Sequence, residues 1–282
     1  MSVRNLADYV CATIGGITFG LLGFYAGFQP AHQLQLIASI SLVGTIAAWW
    51  IFRREVVEIS LEILFGILYR FRAAGPGLTK VPLKGPVLVV ANHSAWMDPL
   101  WLAKVLPRTI KPMMTSLFFD PFLLRLFMVY IADAIRVNVS TFRRDVPELK
   151  QAIAALDEGK CVVLFPEGRL RRSEEQPIKL FGQGVWHILR ERPNTPVVVC
   201  WIEGGWGSFF SYFNGPPTKK KKFDILRPIG IAVAEPVIVP PEILADLLAT
   251  RQYLMDLCGD TRKHLGLPAV IPPHSEADEK EA

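Results

Sequence analysis

The chain has 282 residues, 51% of them hydrophobic, and a formal net charge of +5. Burying a core is no difficulty at that length, and the basic balance favours anionic partners: nucleic acid, phosphorylated metabolites or acidic lipid headgroups. Mean hydropathy is +0.29, and its excess lies ahead of Arg53, which selects membrane lipid and argues against nucleic acid.

Residues 10–28 carry no charge; at about 1.5 Å per helical residue they reach roughly 28 Å, close to the thickness of bilayer hydrocarbon. Residues 36–52 form a second uncharged run, reached through the uncharged connector 29–35 and closed by Arg53 and Arg54. Residues 1–55 are therefore predicted to be a transmembrane helical hairpin with spans at about 10–28 and 36–52. Gly16, Gly20, Gly23 and Gly27 put a smooth stripe on the first helix, for packing against Ser39, Thr45 and Ala48 of the second. Arg4 before the pair and Arg53-Arg54 after it, with no basic residue in the connector, place both ends and the rest of the chain on the cytoplasmic face. A cleaved signal peptide fits less well, because the first run is long, lacks an A-x-A-like site and is followed directly by another. A hairpin buried in a soluble protein is the other competing reading.

Residues 56–80 read as an amphipathic connecting helix and linker, with Val57, Leu61, Leu64, Leu68 and Phe71 among Glu58, Glu62, Arg70 and Arg72. From 81 to 264 strands and helices alternate, the pattern of an α/β domain with a central mixed, largely parallel sheet flanked by helices. Strands are expected at 87–91, 110–115, 134–138, 161–165, 197–202 and 229–234. One helix starts at Asp145 as N-cap, has Glu148 at the capping-box position and stops at Gly159. Another starts at Pro240-Pro241 and runs towards Leu257. Residues 117–131 are apolar almost throughout, so a helix there is either central in the core or immersed in lipid. The acidic tail, 265–282, is expected to be disordered. Cys11, Cys161, Cys200 and Cys258 are far apart and mostly inside apolar runs, so they read as reduced core thiols of a protein working in the cytosolic redox environment, with neither a zinc site nor a disulfide framework.

The chemistry collects at two strand ends. After 87–91 comes Asn92-His93-Ser94-Ala95-Trp96-Met97-Asp98, and after 161–165 comes a turn with Pro166-Glu167-Gly168-Arg169. Sites at strand carboxyl ends share a crevice in α/β sheets. On a continuous helix, His93 and Asp98 would point about 140° apart. They therefore lie on a turn, with Asp98-Pro99 starting a helix and the preceding residues looping back. A histidine facing a carboxylate is a base suited to activating a hydroxyl. Taken singly, Asp98 as a plain helix cap and His93 as an ordinary strand-end residue are the bland alternatives. Gly205-Trp206-Gly207-Ser208 misses the G-x-S-x-G elbow, so a covalent serine mechanism has little support.

These residues resemble a known family. Asn92-His93 with Asp98 is similar to the N-H-x4-D motif of PlsC-type glycerolipid acyltransferases, and Phe165-Pro166-Glu167-Gly168 resembles their F-P-E-G-T-R motif. Ala134-Ile135-Arg136 and the Thr195-Pro196-Val197 strand resemble the remaining blocks, so the likeness runs over about 81–201. The resemblance implies that His93 is the general base and Asp98 its orienter. It implies that Arg136 and Glu167, with Gly168, hold the glycerol phosphate of a lysophospholipid acceptor. Arg169 stands where threonine is usual and Leu170 where arginine is usual, leaving the cation to Arg169 or Arg171. The co-substrate implied is an acyl thioester, acyl-CoA or acyl carrier protein, with no metal and no tightly bound cofactor. The expected reaction acylates 1-acyl-sn-glycerol 3-phosphate to phosphatidate. Another lysophospholipid headgroup, a membrane lipid hydrolase using the same dyad on water, and a non-catalytic lipid-binding scaffold are the rival readings.

Overall fold

The computed structural model describes residues 31–137 and 147–274, with Thr18 and Leu21. The chain divides into two compact units between Phe65 and Gly66. Helix α1 (Ala31–Ile51) and most of α2 (Arg53–Leu68) belong to the first. Leu36, Ile40, Val43, Ile46, Trp49 and Trp50 are exposed on α1. Among the described residues no single helix is long and apolar enough to cross a membrane. Gln35–Ile51 and Glu55–Leu68, bent by 77° at the break, meet that requirement together on length and composition. The expected first span and its glycine stripe lie outside the described residues.

The second unit is built on a seven-stranded sheet. In chain order its strands are β1 (Tyr69–Ala74), β2 (Val87–Ala91), β3 (Ile110–Thr115), β4 (Ile135–Val137), β5 (Cys161–Leu164), β6 (Val197–Glu203) and β7 (Arg227–Val233). Across the sheet they run β1-β7-β6-β2-β5-β3-β4, with every pairing parallel except β6 with β7. β2 lies near the middle, and all five of its residues are buried. A strand covered on both faces needs apolar side chains in both alternating directions, which Val87-Leu88-Val89-Val90-Ala91 supplies. β3 pairs with β5 through Ile110–Pro112 and with β4 through Met113–Thr115; the changeover falls at Pro112, which has no N–H to donate.

Helices α3 (Asp98–Val105), α4 (Pro147–Asp157), α5 (Gly184–Glu191) and α6 (Leu247–Thr261) flank the sheet. One core joins Leu88, Val90, Val162 and Val199 from the strands to Leu156, Ile188 and Leu254 from the helices. Cys161, Cys200 and Cys258 are buried thiols in this unit.

The structure departs from the sequence reading in four places. In the tail, 265–282, read as disordered, Leu265 is buried in a 3₁₀ turn, and Val270, packed against the core, donates its N–H to the Gly259 carbonyl at 3.2 Å. The amphipathic helix stops at Leu68, and Tyr69–Ala74, read as helix and linker, is an edge strand paired with β7. The sheet therefore begins before residue 81. The helix expected from Pro240 is broken: a single turn, Pro241–Leu244, is followed by α6, whose N-cap Asp246 accepts from the Ala249 N–H at 2.7 Å. The 117–131 run is broken at Pro121 into a 3₁₀ turn (Ser116–Phe119) and a helix (Phe122–Leu126) that continues directly as a π turn (Phe127–Ile131). Phe122 and Leu123 are 72% and 77% exposed, which excludes a central core helix. The Asp145 cap lies outside the described residues, whereas Gly159 does end α4, with φ +72°.

Candidate active site

Parallel strands stop side by side, so the loops leaving β2 and β5 start as neighbours. The pairing Val90 with Leu164 is the last of their register, and His93 and Glu167 each lie three residues further on. The residue between strand and base, Asn92, is buried and clamps β2 to β6. Its Nδ2 donates to the Ile202 carbonyl at 3.0 Å, while Ile202 N–H donates to its Oδ1 at 2.7 Å.

The turn after Asn92 is wound around one carboxylate. Asp98 has no exposed surface, and its Oδ2 accepts from Ser94 N–H at 2.7 Å and Ala95 N–H at 2.9 Å. His93 Nδ1 lies 2.9 Å from the same oxygen. Asp98 heads α3 without capping it, since its side chain points back into the turn. An ionised carboxylate only accepts, so the network assigns the proton to Nδ1 and leaves the lone pair on Nε2. The imidazole stacks on Phe165, with centroids 4.2 Å apart and planes 23° off parallel, and its side chain is 19% exposed. An imidazole fixed in this tautomer, with a carboxylate behind it, can accept a proton and hold the resulting charge.

The second loop grips the first. Glu167 is buried; its Oε1 accepts from His93 N–H at 2.8 Å and its Oε2 from Lys179 N–H at 3.1 Å. Arg171 N–H donates to the His93 carbonyl at 2.8 Å. Gly168 sits at φ +65°, a backbone conformation that suits glycine in this turn. Burial pushes the Glu167 carboxyl up to about 8, against the two backbone donors and with Asp98 adding repulsion. A third loop closes the other side. Gly205 lies so near the first turn that a Cβ there would come 2.2 Å from Ser94 Oγ and 3.2 Å from Asp98 Oδ1. Trp96 N–H donates to the Phe210 carbonyl at 3.1 Å.

The predicted cations are dispersed. Arg136 is on edge strand β4, three strand spacings or about 14 Å from β2. Its side chain is 53% exposed, 3.8 Å from Asp120, with the guanidinium over the Phe119 ring. Arg169 is exposed on the turn beside Gly168. Arg171 is already engaged: Nε donates to Ser173 O at 2.7 Å, Nη2 to Glu174 O at 2.5 Å, and the guanidinium covers Trp206 at 4.6 Å. Burial lowers its pKa. Among the described residues no group of three His, Cys, Asp or Glu side chains could hold a metal ion.

A family model described as Acyltransferase matches residues 75–203, the stretch that contains both loops. That stretch is similar to the acyltransferase family. A solved structure with the same architecture is that of PlsC from Thermotoga maritima, described as a 1-acyl-sn-glycerophosphate (LPA) acyltransferase. It aligns over 94% of this chain and 96% of its own, with a TM-score of 0.55 and 16% identity, a likeness of fold. No curated protein matches the chain. The matched stretch runs from just past β1 to the end of β6. Three of its contacts had little or no signature in the sequence: the Asn92 clamp, the backbone donors to Glu167 and the approach of Gly205. Only the paired glycines after β6 hint at the last.

Proposed function

We propose that this acyltransferase moves a fatty acyl group from an acyl thioester, acyl-CoA or acyl carrier protein, to the free hydroxyl of 1-acyl-sn-glycerol 3-phosphate, forming phosphatidate. The observation that carries the proposal is the His93 Nδ1 to Asp98 Oδ2 contact at the end of β2, which directs Nε2 away from the buried carboxylate. The PlsC fold likeness suggests the acceptor class.

In this reading the acceptor hydroxyl gives its proton to His93 Nε2 as its oxygen bonds to the thioester carbon. The tetrahedral intermediate then collapses with cleavage of the carbon–sulfur bond, and the imidazolium returns the proton to the departing thiolate. Asp98 holds the ring and offsets its transient charge. Base catalysis of this kind contributes about 10² to 10⁴ in rate. Arg136 and Arg169 are the cations assigned to the acceptor phosphate.

The same proposal seats the enzyme on a membrane, with the hairpin in the bilayer and the catalytic unit on the cytoplasmic face. The exposed apolar face of α1 and the outward-pointing Phe122 and Leu123 support it. Incubating the full chain with lysolipid and acyl thioester, read by mass spectrometry, tests the reaction: diacyl product is expected, whereas released fatty acid would mark a hydrolase. Replacing His93 with Ala is expected to abolish transfer with thermal unfolding unchanged; full retained activity would remove His93 as the base. Labelling a cysteine placed at Gln33 from the cytoplasmic side alone would overturn the topology.

A further inference from the structure

We propose that Glu167 is a positioning residue, which fixes the main chain of His93 and through it the imidazole, and does not bind the acceptor headgroup. The proposal rests on His93 being the base. Both Glu167 oxygens are committed to backbone donors, Oε1 to His93 N–H at 2.8 Å and Oε2 to Lys179 N–H at 3.1 Å. The side chain is 7% exposed, so little of it faces a ligand. The carboxyl group also brings no positive charge, which phosphate recognition draws on, so it suits a backbone partner better than a phosphate.

The neighbouring contacts carry the argument further. The segment following β5 holds His93 at three points: Phe165 lies against the ring, Glu167 accepts from its N–H, and Arg171 N–H reaches its carbonyl at 2.8 Å. Asp98 fixes only the Nδ1 end of the ring. Without Glu167, the main chain at His93 would pivot about that tether, and the far end, Nε2, would move most. Near-attack geometry is steep in this respect, since about 1 Å of misplacement costs about 10²-fold in rate. The link to Lys179 extends the hold to the segment before α5, so the β2 and β5 loops and the Lys179 segment share one carboxyl group.

The experiment compares Glu167→Ala and Glu167→Gln with the parent in the full-length protein, measuring kcat and the acceptor KM with 1-acyl-glycerol 3-phosphate, with thermal unfolding in parallel. A positioning role predicts that kcat falls about 10²-fold in Glu167→Ala while the acceptor KM stays within about twofold. Glu167→Gln, which keeps one acceptor oxygen, should lose less. An acceptor KM that rises by more than kcat falls, or an unchanged kcat, would overturn the proposal. If Glu167→Ala does not fold, the near-isosteric Gln variant is judged by the same comparison. His93→Ala is measured alongside: activity retained there rejects the base itself, whereas a dead His93→Ala with a KM effect at Glu167 rejects only the positioning role.

Discussion

Gly205→Ala isolates the dependence of the dyad on the loop after β6. Gly205 does not occupy a left-handed conformation, so alanine brings no backbone strain and its cost is entirely contact. The added carbon would stand 2.2 Å from Ser94 Oγ, against an ordinary contact near 3.4 Å, so something must move by about 1.2 Å. Ser94 is the adjacent residue to His93, and its N–H is one of the three donors around Asp98 Oδ2. Overpacking of this size costs about 1–3 kcal/mol in stability. A shift near 1 Å passed to the imidazole costs about 10² in kcat. The assay is acyl transfer with thermal unfolding for Gly205→Ala, Ser94→Ala and the double variant. Removing Oγ leaves only Asp98 Oδ1 at 3.2 Å and Ser94 Cβ at 3.4 Å from the new methyl. The double variant should therefore recover most of the loss, a coupling of about 1–2 kcal/mol. A fully active, fully stable Gly205→Ala, or a double variant no better than the single, would refute this account of the third loop.

Asn92→Asp replaces the amide donor to Ile202 O with an acceptor in a buried site, and it should cost about 1–3 kcal/mol in denaturant unfolding, with Asn92→Ala showing a similar loss. Glu167 sets a pH dependence of stability. Burial raises its carboxyl from an ordinary 4.5 to about 8, so between those values the folded protein keeps a proton that the unfolded chain has released. Stability should fall as pH rises through that window, by at most about 1.4 kcal/mol per pH unit, and level off above it. Glu167→Gln should flatten the profile measured by thermal unfolding from pH 5 to about 9.

How much of this was legible in the sequence follows from where each signal resides. β2, β5 and β6 are continuous apolar runs because helices and loops cover both faces, and such runs announce themselves locally. β1 is an edge strand with Tyr69 buried and Arg70 exposed, and its residues continue the helical alternation of Leu64 and Leu68, so the pattern does not reveal where helix becomes strand. The break before α6 was marked by Asp246, a good N-cap, but the apolar residues on either side masked it. At the candidate site, the identities of His93, Asp98 and Glu167 were readable, as was the need for a turn. The partners of Glu167 were not, because its bond to His93 joins main chain to side chain across 74 residues and any residue type supplies an N–H. The partners of Arg171 were hidden for a related reason: the carbonyls of Ser173 and Glu174 accept from it, and backbone acceptors leave no compositional trace.

The outward-facing ledge of Leu117, Phe122 and Leu123 has a practical consequence for handling the molecule. It belongs to the α/β unit, so cutting the chain at Gly66 would discard α1 yet retain a sticky rim. Such a fragment should clump in plain buffer and disperse when a mild surfactant is added, a behaviour to be planned for before any purification.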